Sequence, residues 1–189
     1  MAETADHILW ANFLSGDKDA FGQLYLTYHP LLLHYGIRLS GKRDQAEEQL
    51  QVLFMELYEK RQQLPKVKKV RAYLFVAYRR KVLNSLLPSF TSQPDPDANI
   101  TFAEDDIASS PEPKLPRKAL HDLLNALPKR QREIIYLRYF NGLDNQEIAE
   151  VLDLSPQSVR NMLFRAFQRL RKSAEEKKIS FFFSWFLSL

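Results

Sequence analysis

Wherever this chain carries apolar residues in number, most of them recur at the spacing of a helix rather than a strand. Residues 6–15 place Ile8, Leu9, Phe13 and Leu14 for burial. Gly16-Asp17 breaks that pattern, and Asp17 or Asp19 stands where a cap opens a second helix through Phe21, Leu24, Tyr25 and Tyr28. Pro30 marks a kink or a fresh start before Leu31, Leu32, Leu33, Tyr35, Ile37 and Leu39, and Ser40-Gly41 ends the run. Asp44 then opens a longer helix with Ala46, Leu50, Leu53, Phe54, Leu57 and Tyr58 on one face, closed by Leu64-Pro65. After a basic connector, 66–70, a helix over 71–87 carries Tyr73, Leu74, Phe75, Ala77, Tyr78, Val82, Leu83 and Leu86.

The periodicity fails over 88–114, PSFTSQPDPDANITFAEDDIASSPEPK, where proline, serine and acids dominate. This composition predicts a flexible linker between two domains. Fully extended, at about 3.3 Å per residue, it would reach ~90 Å, enough to join DNA sites two helical turns, ~70 Å, apart. Helical spacing resumes over 115–126 with Leu120, Leu123, Leu124 and Leu127, then over 130–140 with Ile134, Ile135, Leu137 and Phe140. Asn141-Gly142 predicts a C-cap and turn. The stretch 145–172, NQEIAEVLDLSPQSVRNMLFRAFQRLRK, reads as two helices around a tight Asp153-Leu154-Ser155 turn. In the first, Ile148, Ala149, Val151 and Leu152 face inward and Gln146, Glu147 and Glu150 outward. Ser155-Pro156 starts the second, because serine at the N-cap accepts from an orphan N–H and proline at the next position lacks one. Val159, Leu163, Ala166 and Leu170 form its apolar stripe, and Arg160, Asn161, Arg165, Arg169 and Arg171 carry donors. This is the pattern of a helix-turn-helix; a helical hairpin with a solvated basic face fits it too.

Composition narrows the classes. In 189 residues, 45% hydrophobic content supports real cores. With no cysteine there are neither disulfides nor thiolate metal sites. His7, His29, His34 and His121 form no ligand-spaced cluster, and no phosphate loop, nucleophile elbow or carboxylate pair stands out. No catalytic residue, metal or cofactor is therefore expected. The net charge of +4 is segregated. Lys60, Arg61, Lys66, Lys68, Lys69, Arg71, Arg79, Arg80 and Lys81 cluster without an acid among them, while acids concentrate over 95–112. This segregation predicts a surface that meets a polyanion. Tyr73, Phe75 and Tyr78, interleaved with those cations, fit either core packing or a platform on which unpaired bases stack. MAETADHILW is no secretory leader, and the aromatic tail 179–189, ISFFFSWFLSL, is too short to span a bilayer. A cytoplasmic protein is expected, with the tail docked on the chain itself or on a partner, and peripheral membrane contact as a third alternative.

LNALPKRQREIIYLRYFNGLDNQEIAEVLDLSPQSVRNMLFRAFQRLRK (124–172) resembles the C-terminal, −35-reading domain of bacterial RNA polymerase σ factors, most of all the extracytoplasmic-function (ECF) group. DAFGQLYLTYHPLLLHYGIRL, DQAEEQLQVLFMELYEK and VRAYLFVAYRRKVLNSL are similar to the same group's −10 domain. The resemblance implies an all-α chain of two small helical domains joined by a flexible acidic linker: 1–87 for β′ binding, the −10 element and promoter opening; 88–114 as linker; 115–178 with the helix-turn-helix for the −35 element; and 179–189 as aromatic tail. It implies core RNA polymerase, through the β′ clamp helices and the β subunit, and promoter DNA as partners, with an anti-σ factor or a separate DNA-targeting protein as further candidates. Carried onto this sequence, the −35 contacts are Gln157, Ser158, Arg160, Asn161 and Arg165. The −10 and single-strand contacts are Lys68, Lys69, Arg71, Tyr73, Arg79, Arg80, Lys81 and Asn84, and the polymerase contacts Asp44, Glu47, Glu48, Gln51 and Phe54. The linker would thread the channel later used by RNA, where Asp95, Asp97, Glu104, Asp105 and Asp106 mimic a phosphate backbone.

The chain departs from the group's pattern at several positions. Glu48 replaces a usual Asp, Val52 replaces an acid, Arg79-Arg80 stands for Arg-Asn, Asn84 for a frequent Asp and Asp153 for a frequent Gly. The added positive charge favours phosphate attraction over a hydrogen-bonded choice of base. Two rivals to a σ factor follow: an adaptor that binds polymerase but is targeted by another protein, and a DNA-binding regulator independent of polymerase.

Overall fold

The structure is a computed structural model and describes residues 2–87, 100–103 and 117–176. The expectations for Asp95, Asp97, Glu104, Asp105 and Asp106 and for the tail 179–189 lie outside the described residues. Among the described residues the chain is all-α, without a strand. It falls into two compact units, one organised around the first four helices and the other around the later ones.

The first unit comprises α1 (Ala2–Leu14), α2 (Lys18–Ser40), α3 (Arg43–Glu59), a 3₁₀ turn (Arg61–Gln63) and α4 (Val70–Ser85). Asp17 caps α2 by accepting from the N–H groups of Asp19 and Ala20. Pro30 neither ends nor restarts that helix, which runs on to Ser40. The carbonyl that proline leaves without a donor is that of Leu26. Leu26 is 74% exposed, so water can take the place of the missing N–H. In α1 the expected burial of Ile8 is corrected: Ile8 is 54% exposed and Trp10 is buried instead. The Trp10 indole N–H donates to the Pro65 carbonyl at 3.0 Å, and the ring meets Phe13 and Tyr73 edge-on. A buried indole needs such a partner for its polar edge.

α4 packs against α1, α2 and α3. Its Tyr78 lies fully buried and donates its hydroxyl to the Ala46 carbonyl of α3 at 2.8 Å. A Cβ at Gly36 of α2 would overlap the Tyr78 ring and hydroxyl, so glycine is what lets α2 and α4 approach. Asp44 does not cap α3; the N-cap is Lys42, without a side-chain hydrogen bond, and Asp44 lies in the first turn. There a carboxylate is favoured by the helix dipole.

The second unit comprises α5 (Arg117–Asn125), α6 (Lys129–Ile135), a π-helical turn (Tyr136–Phe140) and α8 (Pro156–Glu176); α7 (Asn145–Leu152) precedes α8 in the chain, its residues up to Ile148 belonging to the second unit and Ala149–Asp153 to the first. The helix expected over 130–140 widens at Tyr136 into that π turn. Gly142 takes a left-handed φ of 65°, and the Leu143 N–H donates back to Leu137 O at 3.0 Å. Four residues of the expected linker are described, and two of them are buried: Ile100 and Phe102. The Phe102 ring lies 5.8 Å from Tyr136 and 5.4 Å from Phe140. Residues 100–103 are thus part of the second unit's core rather than a solvated tether.

Candidate nucleic-acid and polymerase surfaces

The helix-turn-helix is built by two caps and one left-handed residue. At α7, the Glu147 N–H donates to Asp144 Oδ1 at 2.7 Å, and the Asp144 N–H donates to Glu147 Oε2 at 2.9 Å. This reciprocal capping box corrects the outward placement of Glu147, which is buried. Ile148, Ala149, Val151 and Leu152 are buried, as their spacing predicts. Asp153 adopts φ 53°, the conformation the turn requires and one that Asp tolerates better than most residues. Ser155 Oγ accepts from the Ser158 N–H at 3.1 Å, with Pro156 first in α8.

In α8, Val159, Leu163, Ala166, Leu170 and Ala174 form the buried stripe, packed on α5 and α6. Gln157, Arg160, Asn161 and Arg165 are exposed on the remaining surface. Gln157 Nε2 donates to Asn161 Oδ1 at 3.1 Å, which holds two amide groups side by side one turn apart. Among the described residues Arg160 and Arg165 have neither a hydrogen bond nor an ion pair, so their guanidinium donors are available to a ligand. Ser158 differs: it is half-buried, and its hydroxyl lies 2.8 Å from that of Ser155. That pairing with the cap residue leaves its hydroxyl less free. Phe164, one turn on from Arg160, is 62% exposed and adds an apolar ring to this face. It escaped the sequence reading because a phenylalanine between helical apolar positions looks like core.

The first unit arranges its cations differently. Phe75 and Tyr78 are buried, so core packing accounts for both. Tyr73 is half-buried against Trp10, and burial raises its hydroxyl pKa. Arg71 lies beside the buried Tyr28 hydroxyl, which also bonds Asp6 at 2.5 Å; burial first, and then Asp6, hold that phenol protonated. Lys81 Nζ donates to Glu56 Oε1 at 2.7 Å. Lys69 and Arg79 are half-buried, whereas Lys68, Arg80 and Asn84 are exposed.

On α3, Asp44, Glu48 and Gln51 are exposed at one-turn intervals along the helix. Glu47 sits 3.8 Å from Arg43. Phe54 is buried, its ring 4.8 Å from Tyr25 and 6.2 Å from Phe21. Together with Gln51, Met55, Tyr58 and Glu59 these rings line an apolar groove of about 450 Å³. Gln51 and Phe54 thus meet at one surface, while Asp44, Glu47 and Glu48 are not among the groove's lining residues. Among the described residues no cluster of three or more His, Asp and Glu is disposed to hold a metal. No described helix is long and apolar enough to cross a membrane.

Comparison with known families and structures agrees with this geometry. Residues 24–87 match the model "Sigma-70 region 2" and residues 117–170 the model "Sigma-70, region 4". The chain belongs to the σ70 family of RNA polymerase σ factors, in its ECF group. It is 26% identical to the RNA polymerase sigma-H factor of Pseudomonas aeruginosa, over 93% of this chain and 96% of that one. It is 29% identical to the ECF RNA polymerase sigma factor ShbA of Streptomyces griseus, over 86% of this chain and 92% of that one. Among solved structures, CnrH in complex with the cytosolic domain of CnrY shares the fold with a TM-score of 0.63 and 24% identity, over 91% of this chain and 98% of that one. The sigma factor RpoE of Bartonella quintana, solved with the anti-sigma factor NepR, has a TM-score of 0.57 and 22% identity, over 87% and 99%.

Proposed function

We infer that this chain is a dissociable specificity subunit that binds core RNA polymerase, directs it to promoters of one sequence class and helps to open them. One observation carries the reading: Arg160 and Arg165, exposed and without a partner among the described residues, beside the paired amides of Gln157 and Asn161, on a helix held at its start by a serine cap. A guanidinium donates to two acceptors of guanine, and an amide donates to adenine N7 while accepting from its N6 amino group, so this face has the groups that a major groove reads. Gln157, Arg160, Asn161 and Arg165 read the −35 element, with Ser158 at its edge.

In the first unit Lys68, Arg80 and Asn84 meet the −10 element directly, and Lys69, Arg71, Tyr73, Arg79 and Lys81 support them at shorter reach. Asp44, Glu47, Glu48 and Gln51 meet the β′ clamp helices, and the Phe54 groove receives an apolar side chain beside them. The β subunit, an anti-σ factor and a separate DNA-targeting protein are further candidate partners. The protein acts in the cytoplasm by binding alone, and the chemistry of RNA synthesis belongs to the polymerase. Run-off transcription with purified core polymerase tests this. Promoter-specific transcripts with this protein as the sole added factor are expected. Core binding with transcripts that require a second protein would make it an adaptor, and failure to bind core would overturn the reading.

A further inference from the structure

α1 lies outside the residues matched to region 2, which begin at Leu24, yet it packs on α4 and on the 3₁₀ turn that precedes the basic connector. Asp6, Trp10 and Phe13 follow one another at helical spacing along one face of α1. The first two make polar contacts. The Trp10 indole N–H donates to the Pro65 carbonyl at 3.0 Å, and Pro65 opens the irregular connector, 65–69, that leads into α4. The same ring meets Tyr73, in the first turn of α4, at 5.3 Å. Asp6 accepts from the Tyr28 hydroxyl at 2.5 Å, and Arg71, whose guanidinium can only donate, is the second partner of that oxygen. Two α1 side chains one turn apart thus hold the connector at its start and α4 at residues 71 and 73. Lys66 and Lys68, both exposed, lie between these holds.

We propose that α1 is a brace that sets the position of the cations before and at the start of α4, with Trp10 and Tyr28 as positioning residues for contact with the opened DNA strand. This rests on the assignment of Lys68, Arg71 and Tyr73 to that strand, made above, and adds what keeps them in place. A lysine on irregular backbone loses conformational freedom when it meets a phosphate, and backbone fixed beforehand removes part of that cost. Core packing accounts for the Trp10 and Tyr28 rings; the indole N–H and the phenol oxygen are what reach the basic segment. Removing those two groups leaves no orphan in the core. Pro65 is exposed and Asp6 and Arg71 are half-buried, so water can serve each freed partner. Trp10→Phe with Tyr28→Phe therefore takes away the brace and keeps an aromatic ring at both positions.

A double-mutant cycle on the full chain tests this, with a fluorescein-labelled single-stranded oligonucleotide of mixed sequence as the probe and anisotropy as the readout. Lys68→Ala is expected to lower affinity about threefold and Trp10→Phe with Tyr28→Phe about fivefold; all three together should cost about fivefold to eightfold, short of the roughly fifteenfold of independent effects. The slope of affinity against salt should also fall in the variant without the brace, because fewer cations meet phosphate at once. A role confined to stability would lower the unfolding midpoint, leave the salt slope unchanged and multiply with Lys68→Ala. That result would overturn the proposal and leave the DNA assignment of Lys68 standing, as would unaltered affinity in the braceless variant beside a loss in Lys68→Ala. No effect of Lys68→Ala, or no binding by the wild-type chain, would overturn the assignment and the proposal together. Should the paired variant fail to fold, Trp10→Phe and Tyr28→Phe enter the same cycle singly. The brace is also measurable without DNA. Of the two indole N–H signals of this chain, the one that Trp10→Phe removes should exchange slowly with solvent in the wild-type protein. Exchange as fast as that of a free indole would overturn the proposal whatever the oligonucleotide shows.

Discussion

Two basic helices carry most of the candidate DNA contacts, and they are built on opposite plans. α4 lies against three other helices, so seven of its residues, among them Phe75 and Tyr78, are buried. Its cations occupy what surface is left. Lys81 is tied to Glu56, Arg71 stands beside Tyr28, and Arg80 is exposed. α8 buries one stripe on α5 and α6 and leaves a broad face on which Arg160 and Arg165 are exposed, without a partner among the described residues. A helix with neighbours on several sides couples any change of sequence to stability. A helix with one buried stripe lets the reading face vary while the fold stands still. The two units should therefore separate cleanly under mutation.

The largest effect is expected on the free face. Arg160→Ala with Arg165→Ala removes two guanidinium contacts worth about 1–3 kcal/mol each where they are bidentate. Holoenzyme affinity for promoter DNA should fall on the order of a hundredfold or more, as read by fluorescence anisotropy at fixed salt. Core binding and thermal stability should stay at wild-type values. Loss of stability in the same variant would show that α8 is no freer than α4.

Next is the close contact behind α4. Gly36→Ala forces a methyl group into the Tyr78 ring and hydroxyl, and overpacking of this kind costs about 1–3 kcal/mol. The midpoint of thermal unfolding should drop by several degrees. Gly22→Ala in the same helix meets open space, and replacing a mid-helix glycine there should add about 0.5–1 kcal/mol. Opposite signs from one substitution at two sites would confirm that α4, rather than helix propensity, decides the outcome. Smaller again is Ser155→Ala. Loss of the N-cap should cost about 1 kcal/mol, seen as faster amide exchange at the start of α8 and a modest loss of promoter affinity.

Much of this was legible in the sequence, and most of the exceptions share one cause. Ser155-Pro156 announced the start of α8 because a cap is a local device, and the α8 donors could be read because their helix has one stripe. Asp144 and Glu147 also held a local signal, the spacing of a capping box, but Glu147 was sorted by its charge rather than its position. Trp10 could not be preferred to Ile8 from local pattern, since its indole is satisfied by Pro65, 55 residues away. Ile100 and Phe102 sit in a stretch whose composition argues for disorder; the amide that holds them, Asn125, lies 23 residues further on. The continuity of α2 through Pro30 needed to be known with the exposure of Leu26. Periodicity sees what a residue does within its own element, whereas Trp10, Ile100 and Phe102 are placed by residues far along the chain.

The smallest expected effect tests the sharpest point of the comparison, whether a cation on α4 is a reader or a strut. The Lys81 ammonium, hydrogen-bonded to Glu56, holds that carboxyl below its ordinary value of 4.5 against the opposing effect of burial. A carboxylate whose pKa is depressed in the folded state adds stability that is complete above its unfolded pKa and is lost as pH falls through the lower folded value. Both side chains are partly exposed, with 21% of Lys81 and 42% of Glu56 accessible, so solvent screening keeps the pair within about 0.2–1 kcal/mol. Lys81→Met should therefore be less stable than wild type by that amount at pH 7, and the difference should shrink as pH falls below about 4.5, as measured by urea denaturation. A strut predicts this pH-dependent gap together with promoter affinity reduced by less than about threefold. A gap of zero at every pH with a tenfold loss of affinity would make Lys81 a reader, and α4 would then resemble α8 more closely than its packing implies.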